Sequence, residues 1–410
     1  MGSHRLDTPQ VRLFEGTVSR THDRSNREEL MEFAFGEADA AFRSDLVGFL
    51  DRELAKGWTR SEYGLGSAVH SDFSKDFVRV LAAEGWLTPH WPQEYGGGGQ
   101  GAWQHFVLGE EMWKRGEPRG PQYMNVNWVG PAIIKYGTEE QKKALLPPIT
   151  RGEVFWCQGF SEPEAGTDLA ALRTRATRDG DGYLLNGQKI WTSYANEADY
   201  CFLLARTGSV ADGRDGISVF LLPLNTPGVE VRRIEGFVGA HSFNEVFLTD
   251  VRVPADCLLG EENKGWDIVR RTLAYERVGA PRYARAARVL DGLAEWCRTA
   301  DLLADAGIQE QFGEARALCE AARVLVYRVI DERAKAKEPS PLAYQARAAM
   351  VQAERAVGDL ALDVMGSEAL VEKSVGDAQF RNSLGAGIAA GSYEVQLNLI
   401  TRLILKLPKE

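Results

Sequence analysis

Between Phe155 and about Gly260 the hydrophobic period of this chain changes from helical to alternating, and beyond Gly265 it changes back. An apolar residue at every third or fourth position covers one stripe of a helix, whereas strict alternation covers one face of a strand. One segment cannot satisfy both. Tyr200 to Ala205, Ile217 to Leu222, Val229 to Ile234 and Val246 to Val253 alternate, separated by Gly, Pro and Asp turns, which predicts an antiparallel sheet or a small barrel. Upstream, Phe42, Leu46, Phe49 and Leu50, and then Phe73, Phe77, Val80 and Leu81, recur at helical spacing. Downstream, one stripe runs Phe312, Ala315, Cys319, Ala322, Val326, Val329 and Ile330, and a second runs Ala346, Met350, Ala353, Val357, Leu360 and Val364. A third runs Tyr393, Leu397, Ile400 and Ile404. Such stripes read as bundle core, with a surface fit for oligomer contact. The expected fold class is therefore α+β. A polar leader covers 1–34, an N-terminal α-helical domain 35–152, a middle antiparallel β domain 153–264 and a C-terminal four-helix-bundle-like domain 265–410.

Local signals refine this outline. Gly85-Trp86 ends the second helix, and Thr138 with the acidic turn after it starts another, which Pro147-Pro148 should stop. WPQEYGGGGQG between them reads as a flexible connection. Gly96, Gly98 and Gly101 fit GxGxxG, yet no strand precedes them, so a dinucleotide fingerprint is rejected. At 410 residues the chain exceeds one ordinary core. Its net charge of −10 argues against nucleic acid and anionic membranes as partners. No run reaches the length of a membrane span, and the first residues lack the apolar core of a signal peptide. The five cysteines stand apart without CxxC pairs, and the six histidines form no ligand pattern. These counts predict no disulfide framework, no metal and a reduced cytoplasmic setting.

The stretch Cys157 to Ser193 is denser in chemistry. Ser161-Glu162-Pro163-Glu164-Ala165-Gly166-Thr167-Asp168 offers hydroxyls and little bulk, suited to close approach of backbone amides to a planar polar ligand. Asn186-Gly187 between alternating residues predicts a hairpin turn. Trp191 and Ser193 would then leave the second strand on one face, an indole beside a hydroxyl.

SEPEAGTD followed by NGQKIWTS closely resembles the paired signature of the acyl-CoA dehydrogenases, flavoenzymes that desaturate acyl thioesters, and the resemblance extends from about Phe35 to the C-terminus. It implies FAD, with the flavin ring against Gln158, Phe160, Ser161 and Thr167 on one side and Trp191, Thr192 and Ser193 on the other. In that scheme Ser193 bonds near the reactive ring nitrogen, Trp191 walls the dimethylbenzene side, and Thr167 also touches the phosphate or pantetheine of the substrate. Many relatives place the glutamate that takes the α proton in a C-terminal stretch like YEGT, but the matching positions here are Ala389, Ala390, Gly391 and Ser392. A subgroup resembling the long-chain and isovaleryl enzymes carries it in an LxxER helix, which Leu273-Ala274-Tyr275-Glu276-Arg277 matches. Glu276 is thus the expected base, against the plain alternative of a solvated Glu-Arg pair. Tyr275, Arg277, Ala390 and Gly391 are expected at the substrate, and Ser392 and Glu394 at the flavin, with Glu394 a weaker rival as base.

Two departures bear on cofactor binding. The family's RxxFG reads Gln309-Glu310-Gln311-Phe312-Gly313, and its EIQR reads Glu394-Val395-Gln396-Leu397. Each loses an arginine that would face phosphate, and a charge-assisted contact is stronger than a neutral one. The resemblance implies an acyl-CoA or acyl-carrier-protein thioester as substrate and an electron-transfer flavoprotein or similar acceptor. It also implies a homodimer or homotetramer, or a mixed tetramer such as some bacterial relatives form. Two other readings stand beside it: a half-site partner subunit without turnover of its own, and a flavin oxidase or monooxygenase on the same scaffold.

Overall fold

The structure, a computed structural model, describes residues 36–58, 68–237, 243–337, 340–372, 374–389 and 391–408; the side chains of 68–71 and 274–277 fall outside that description, as does the polar leader over 1–34. Helices α1 (Glu37–Leu54), α2 (Ala68–Ala83) and α3 (Ala102–Lys114) open the fold. Leu46, Phe49 and Leu50 of α1, Phe77, Val78 and Leu81 of α2, and Val107, Leu108 and Met112 of α3 close on one another as one apolar core. Gly85 ends α2 as expected: its φ is +76°, Trp86 N donates to Leu81 O and Gly85 N to Ala82 O, the paired bonds of a Schellman stop.

Two expectations in this region fail. The glycine run is not a flexible connection, because Gly98 N, Gly99 N and Gln100 N donate to Thr88 O, Trp91 O and Pro89 O. A Cβ on Gly97 would lie 2.2 Å from Trp91 O, so the glycine permits close approach rather than freedom. Nor do the prolines stop the helix that Thr138 starts. After α4 (Gln122–Met124), a π-helical turn (Asn125–Val129) and α5 (Gly130–Tyr136), α6 (Glu139–Thr150) runs through Pro147 and Pro148. The carbonyls they leave without a donor belong to Lys143 and Ala144, which are exposed and open to water.

The central sheet holds β1 (Trp156–Gly159), β2 (Arg175–Asp179), β3 (Gly182–Lys189), β4 (Tyr200–Arg206), β5 (Ile217–Pro223), β6 (Val229–Ile234), β7 (Phe243–Pro254) and β8 (Leu258–Leu259). Their order is β6-β7-β3-β2-β4-β5-β8, with β1 beside β4. The sheet is mixed rather than wholly antiparallel, since β4 runs parallel to both β1 and β2. A long crossover makes a parallel pair possible, and here the β2–β3 hairpin supplies it. Period two divides the middle of the sheet cleanly. Phe202, Leu204, Ile217, Val219 and Leu221 face one core with the helices, while Cys201, Leu203, Ala205, Phe220 and Leu222 face a second core.

The hairpin turn lies at Gly180-Asp181 and not at Asn186-Gly187. Asp179 pairs with Gly182 and Gly180 has φ +61°, as a turn with glycine at its first central position requires. Asn186-Gly187 continues β3 opposite a bulge, where the register jumps from Leu185↔Val251 to Gly187↔Leu248. A Cβ at Gly187 would come within 2.5 Å of Thr174 Oγ1.

The helices after the sheet are α7 (Gly265–Gly279), α8 (Arg282–Thr299), α9 (Ala306–Ala334), α10 (Leu342–Met365), α11 (Val375–Gly385) and α12 (Tyr393–Leu403). Helix α10 is central, packing against α7, α8, α9, α11 and α12. Its predicted stripe is buried throughout, and that of α9 from Ala315 to Ile330. The third stripe is not core: Leu397 is 41% exposed, and the residue of α12 that is fully enclosed is Gln396. Among the described residues no helix is long and apolar enough to cross a membrane.

Candidate functional site

The loop after β1 is tied to the end of β3 by a buried ion pair. Lys189 Nζ donates to Glu162 Oε1 at 2.7 Å and to Phe160 O at 3.2 Å. The Glu162 carboxylate also accepts from Arg173 N at 2.6 Å and Thr174 N at 2.9 Å. Ile190 N donates to Ser161 O, and Glu162 and Ala165 exchange backbone bonds across the loop. Burial alone would push the Glu162 carboxyl up; the Lys189 ammonium and the N–H donors outweigh it and hold the carboxyl below its ordinary value. Phe160, Ser161 and Glu162 are thereby fixed beside Ile190, and the two halves of the 157–193 stretch meet.

The triplet after β3 does not follow the pleat. Strand β3 ends at Lys189, so Trp191 and Ser193 are not set on one face by strand alternation. Trp191 has φ +57° and Tyr194 φ +59°, a left-handed conformation that bulky residues adopt only when the surroundings enforce it. Asn244 on β7 does so: Thr192 N donates to Asn244 O at 2.9 Å, and Asn244 Nδ2 donates to Thr192 O at 3.1 Å and to Asn196 Oδ1 at 3.0 Å. The Trp191 indole is 56% exposed, edge-on to Phe243 with ring centroids 5.9 Å apart. Nearby, Gln158 Nε2 and Thr192 Oγ1 are enclosed without a hydrogen-bond partner. Thr167 is exposed and Ser193 half-buried.

A third wall comes from the helices. Phe160 and Tyr194 share a core with Met124 and Trp128, and with Tyr123 and Leu273 at its edge. Helix α7, which carries Leu273, packs on the π-helical turn and on β5; a Cβ on Gly265 would lie 2.8 Å from Ser218 Cα. Glu276 therefore sits on a helix adjoining this core, while the side chains of Tyr275, Glu276 and Arg277 lie outside the described residues.

The C-terminal turn is held by α10 and α12. Ser392 caps α12, accepting from Val395 N at 3.3 Å, Gly391 has φ +86°, and Glu394 is exposed in the first helical turn. Ala390 lies outside the described residues. Arg347 of α10 holds the preceding segment, donating to Ala386 O and Ala389 O. Gln309 Nε2 donates to Leu303 O at 2.7 Å within its own chain.

Sequence reasoning missed the Glu162–Lys189 tie, the Asn244 clamp and the π-helical turn. The first had a signal, a lysine closing β3 and a glutamate in the loop after β1, 27 residues apart. The other two depend on contacts across the sheet and between helices.

Three family models match: the acyl-CoA dehydrogenase N-terminal domain over 36–153, the middle domain over 157–251 and the C-terminal domain over 263–405. The chain belongs to the acyl-CoA dehydrogenase family. Acyl-CoA dehydrogenase IpdE1 of Mycobacterium tuberculosis is 33% identical over 383 residues, 90% of this chain and 98% of that protein. Acyl-CoA dehydrogenase FadE34 of the same organism is 35% identical over 80% of this chain, which spans 46% of that longer protein. Among solved structures, the Tcur3481-Tcur3483 steroid ACAD gives a TM-score of 0.85 at 31% identity, covering 93% of this chain and 100% of that one. The ChsE4-ChsE5 complex from Mycobacterium tuberculosis gives 0.82 at 30% identity, covering 93% and 100%.

Acyl-CoA dehydrogenases are FAD-dependent oxidoreductases of lipid metabolism, and the residues present fit the ring of that cofactor. An exposed indole held in a strained conformation, an edge of loop backbone beside it and two enclosed polar groups without partners, Gln158 Nε2 and Thr192 Oγ1, form a donor set suited to a flat heteroaromatic ring. Where the family pattern carries an arginine, this chain has Gln309.

Proposed function

We propose that the chain desaturates an acyl-CoA thioester between its α and β carbons, with Glu276 as the base. The observation that carries this reading is the convergence of the Phe160–Ala165 loop, the Trp191–Tyr194 segment and α7 on one shared core. FAD, when bound, supplies the acceptor for the β hydrogen, which leaves as hydride; side chains provide no such acceptor. Gln158, Phe160, Ser161, Thr167, Trp191, Thr192 and Ser193 hold it. Glu276 takes the α proton onto its carboxylate, and the Ala390 N–H holds the thioester oxygen as negative charge develops there. Tyr275, Arg277 and Gly391 line the thioester, and Ser392 and Glu394 complete the cofactor contacts. The enclosure of Trp128, Met124 and Tyr194 excludes water from the reacting carbons.

Coenzyme A is the proposed carrier, with an acyl carrier protein the other arm of the test, and an electron-transferring flavoprotein the electron acceptor. The similarity to a steroid ACAD places bulky polycyclic acyl groups in the substrate panel. The observation on Gln309, turned back on Leu303, favours a second reading in which a sister chain supplies the phosphate contacts of a mixed complex. Copurification of such a chain distinguishes the two.

The deciding experiment is the visible spectrum of the purified protein before and after anaerobic addition of acyl-CoA esters and, in parallel, of the same acyl groups on an acyl carrier protein. Bleaching of the flavin is expected with the wild type. Glu276→Gln should retain flavin and lose the bleaching, and near wild-type reduction by that variant would remove Glu276 from the role.

A further inference from the structure

The helix that carries Glu276 is tied down at both ends, and the tie at its far end comes from a residue that the chemistry proposed above does not use. At the start of α7, Asn263 N donates to Ser218 Oγ at 2.7 Å and Thr207 Oγ1 donates to Asn263 Oδ1 at 2.7 Å. Gly265 stands so close to β5 that a Cβ would lie 2.8 Å from Ser218 Cα. At the other end α7 stops at Gly279, because Pro281 excludes Ala280 from the helical region; its φ is −117° and its ψ 89°. The last four carbonyls of a helix have no partner within it, and here they belong to Glu276, Arg277, Val278 and Gly279. From the π-helical turn, Asn127 Nδ2 donates to Gly279 O at 3.1 Å. A Cβ on Gly279 would lie 3.8 Å from Asn127 Cβ, so the side chain rests against Gly279 itself. The same side chain engages His105 of α3, and Asn127 is buried. Gly109 of α3 also faces this carbonyl, but it has no side chain to donate.

The local sequence explains why Asn127 arrives there. In a regular helix Pro131 would bring no N–H to Asn127 O, and its ring would press on that carbonyl. The chain takes a wider turn instead, in which Gly130 N donates to Asn125 O, five residues back. At that spacing the donor for Val126 O would be Pro131, which has none. Trp91 supplies it, with Nε1 at 3.0 Å from Val126 O. Its indole fills the space beside Gly130, where a Cβ would come within 2.0 Å of Trp91 Cζ2 and Cη2. Trp91, Gly130 and Pro131 thus specify the turn. Its successive residues then serve three neighbours: Val126 joins the N-terminal core, Asn127 meets the end of α7, and Trp128 joins the core shared with Phe160 and Tyr194.

We propose that Asn127 is a positioning residue for Glu276: its amide fixes the last turn of α7, and with it the place from which the carboxylate reaches the α carbon. This rests on the reading of Glu276 as the base. Glu276 precedes Gly279 by less than one helical turn and stands about 16 Å along the axis from Gly265. A tilt of about 4° about the start of α7 would move it by roughly 1 Å. The apolar contacts of Ile268, Val269 and Leu273 resist such a tilt only weakly, because burial is non-directional. A misplacement of about 1 Å can cost on the order of a hundredfold in rate.

The test uses the flavin-loaded protein and the saturated acyl-CoA ester that bleaches the flavin fastest, prepared with deuterium on the α carbon or on the β carbon. The matching trans-2-enoyl-CoA ester, which is not turned over, reports binding. Asn127→Leu keeps the volume and removes the donor, and Asn127→Ala removes it without adding bulk, in case the first variant does not fold. Either variant should bind the enoyl ester within about twofold of the wild type and bleach about tenfold or more slowly. The isotope effect from the α carbon should rise, because proton removal is the step that suffers, and that from the β carbon should not. A general loss of stability would not separate the two carbons. An unchanged α effect, whether or not bleaching slows, would overturn the proposal, as would a loss of enoyl binding equal to the loss of rate. Glu276→Gln keeps the two readings apart. If that variant is inert while Asn127→Leu behaves as the wild type, only the positioning role falls. If Glu276→Gln bleaches normally, or no ester bleaches the wild type, both fall.

Discussion

Replacing Lys189 by methionine tests how the cofactor loop is held. The ammonium of this fully buried residue contacts Glu162 Oε1 at 2.7 Å and Phe160 O at 3.2 Å, and methionine fills similar volume without charge. Removing one partner of a buried pair costs about 3–5 kcal/mol. Glu162 keeps the Arg173 and Thr174 N–H donors, so the lower end, roughly 3 kcal/mol, is expected at neutral pH. That corresponds to a fall of about 5 °C in apparent melting temperature. The pH dependence identifies the cause. In the wild type the Glu162 carboxyl is held below the ordinary 4.5, so its contribution is present above 4.5 and is lost as pH falls through the lowered value. In Lys189→Met, burial acts on that carboxyl without the ammonium and raises it, so the variant takes up a proton above 4.5 and is relieved. The gap between the two proteins should therefore narrow as pH falls from 7 toward 4. Glu162→Gln combined with Lys189→Met should recover much of the loss, since no charge is then left unpaired. At neutral pH the single variant should also release FAD about tenfold more readily, because the Phe160–Ala165 segment loses its anchor. Urea denaturation at several pH values and fluorimetric FAD titration give both numbers. A stability gap under 0.5 kcal/mol, or one independent of pH, would refute the reasoning.

Three further outcomes follow from other contacts. Gln309→Arg should tighten FAD by about tenfold if the position reaches the pyrophosphate; an unchanged dissociation constant would show that it does not. His90 is pulled down to about 3 from 6.5, so the folded chain keeps it neutral while the unfolded chain protonates below 6.5. The stability it contributes is full above 6.5 and is lost as pH falls toward 3, a loss of a few kcal/mol, and His90→Gln should flatten the denaturation midpoint across that window. Gly97→Ala would place a Cβ 2.2 Å from Trp91 O and should destabilise the chain by about 2 kcal/mol; urea unfolding unchanged within error would mean that the turn is as loose as its composition suggests.

The parts legible in the sequence are those set by burial over many residues. Strands β4 and β5 were expected as alternating segments and are instead continuous apolar runs, because both of their faces are covered, one by the helices and one by the outer core; the turn residues that bound them are what made them legible. The stripes of α9 and α10 were readable because α10 is surrounded. The third stripe has the same period, but its helix meets α10 through Tyr393, which accepts from Gln352 and lies under Arg355, and leaves Leu397 outward; periodicity reports that a face is apolar and not what covers it. Single-residue signals misled where two physical demands share one residue type. Asn-Gly serves a tight turn through positive φ at the turn centre, but here, inside a strand, glycine is needed because its φ is +152° and Thr174 crowds it, and asparagine because its side chain pairs with Asp250. Pro-Pro stops a helix whose carbonyls are buried, but here they face water. Glu162 illustrates the same limit within the site. In the sequence it is one of several polar residues in a loop suited to a ligand, and in the fold it turns inward to a lysine 27 residues away. The loop leaves Thr167 exposed and Ser161 half-buried while Glu162 is committed inward, so the charge in the motif acts through position and, on the reading proposed above, the hydroxyls are left for the cofactor.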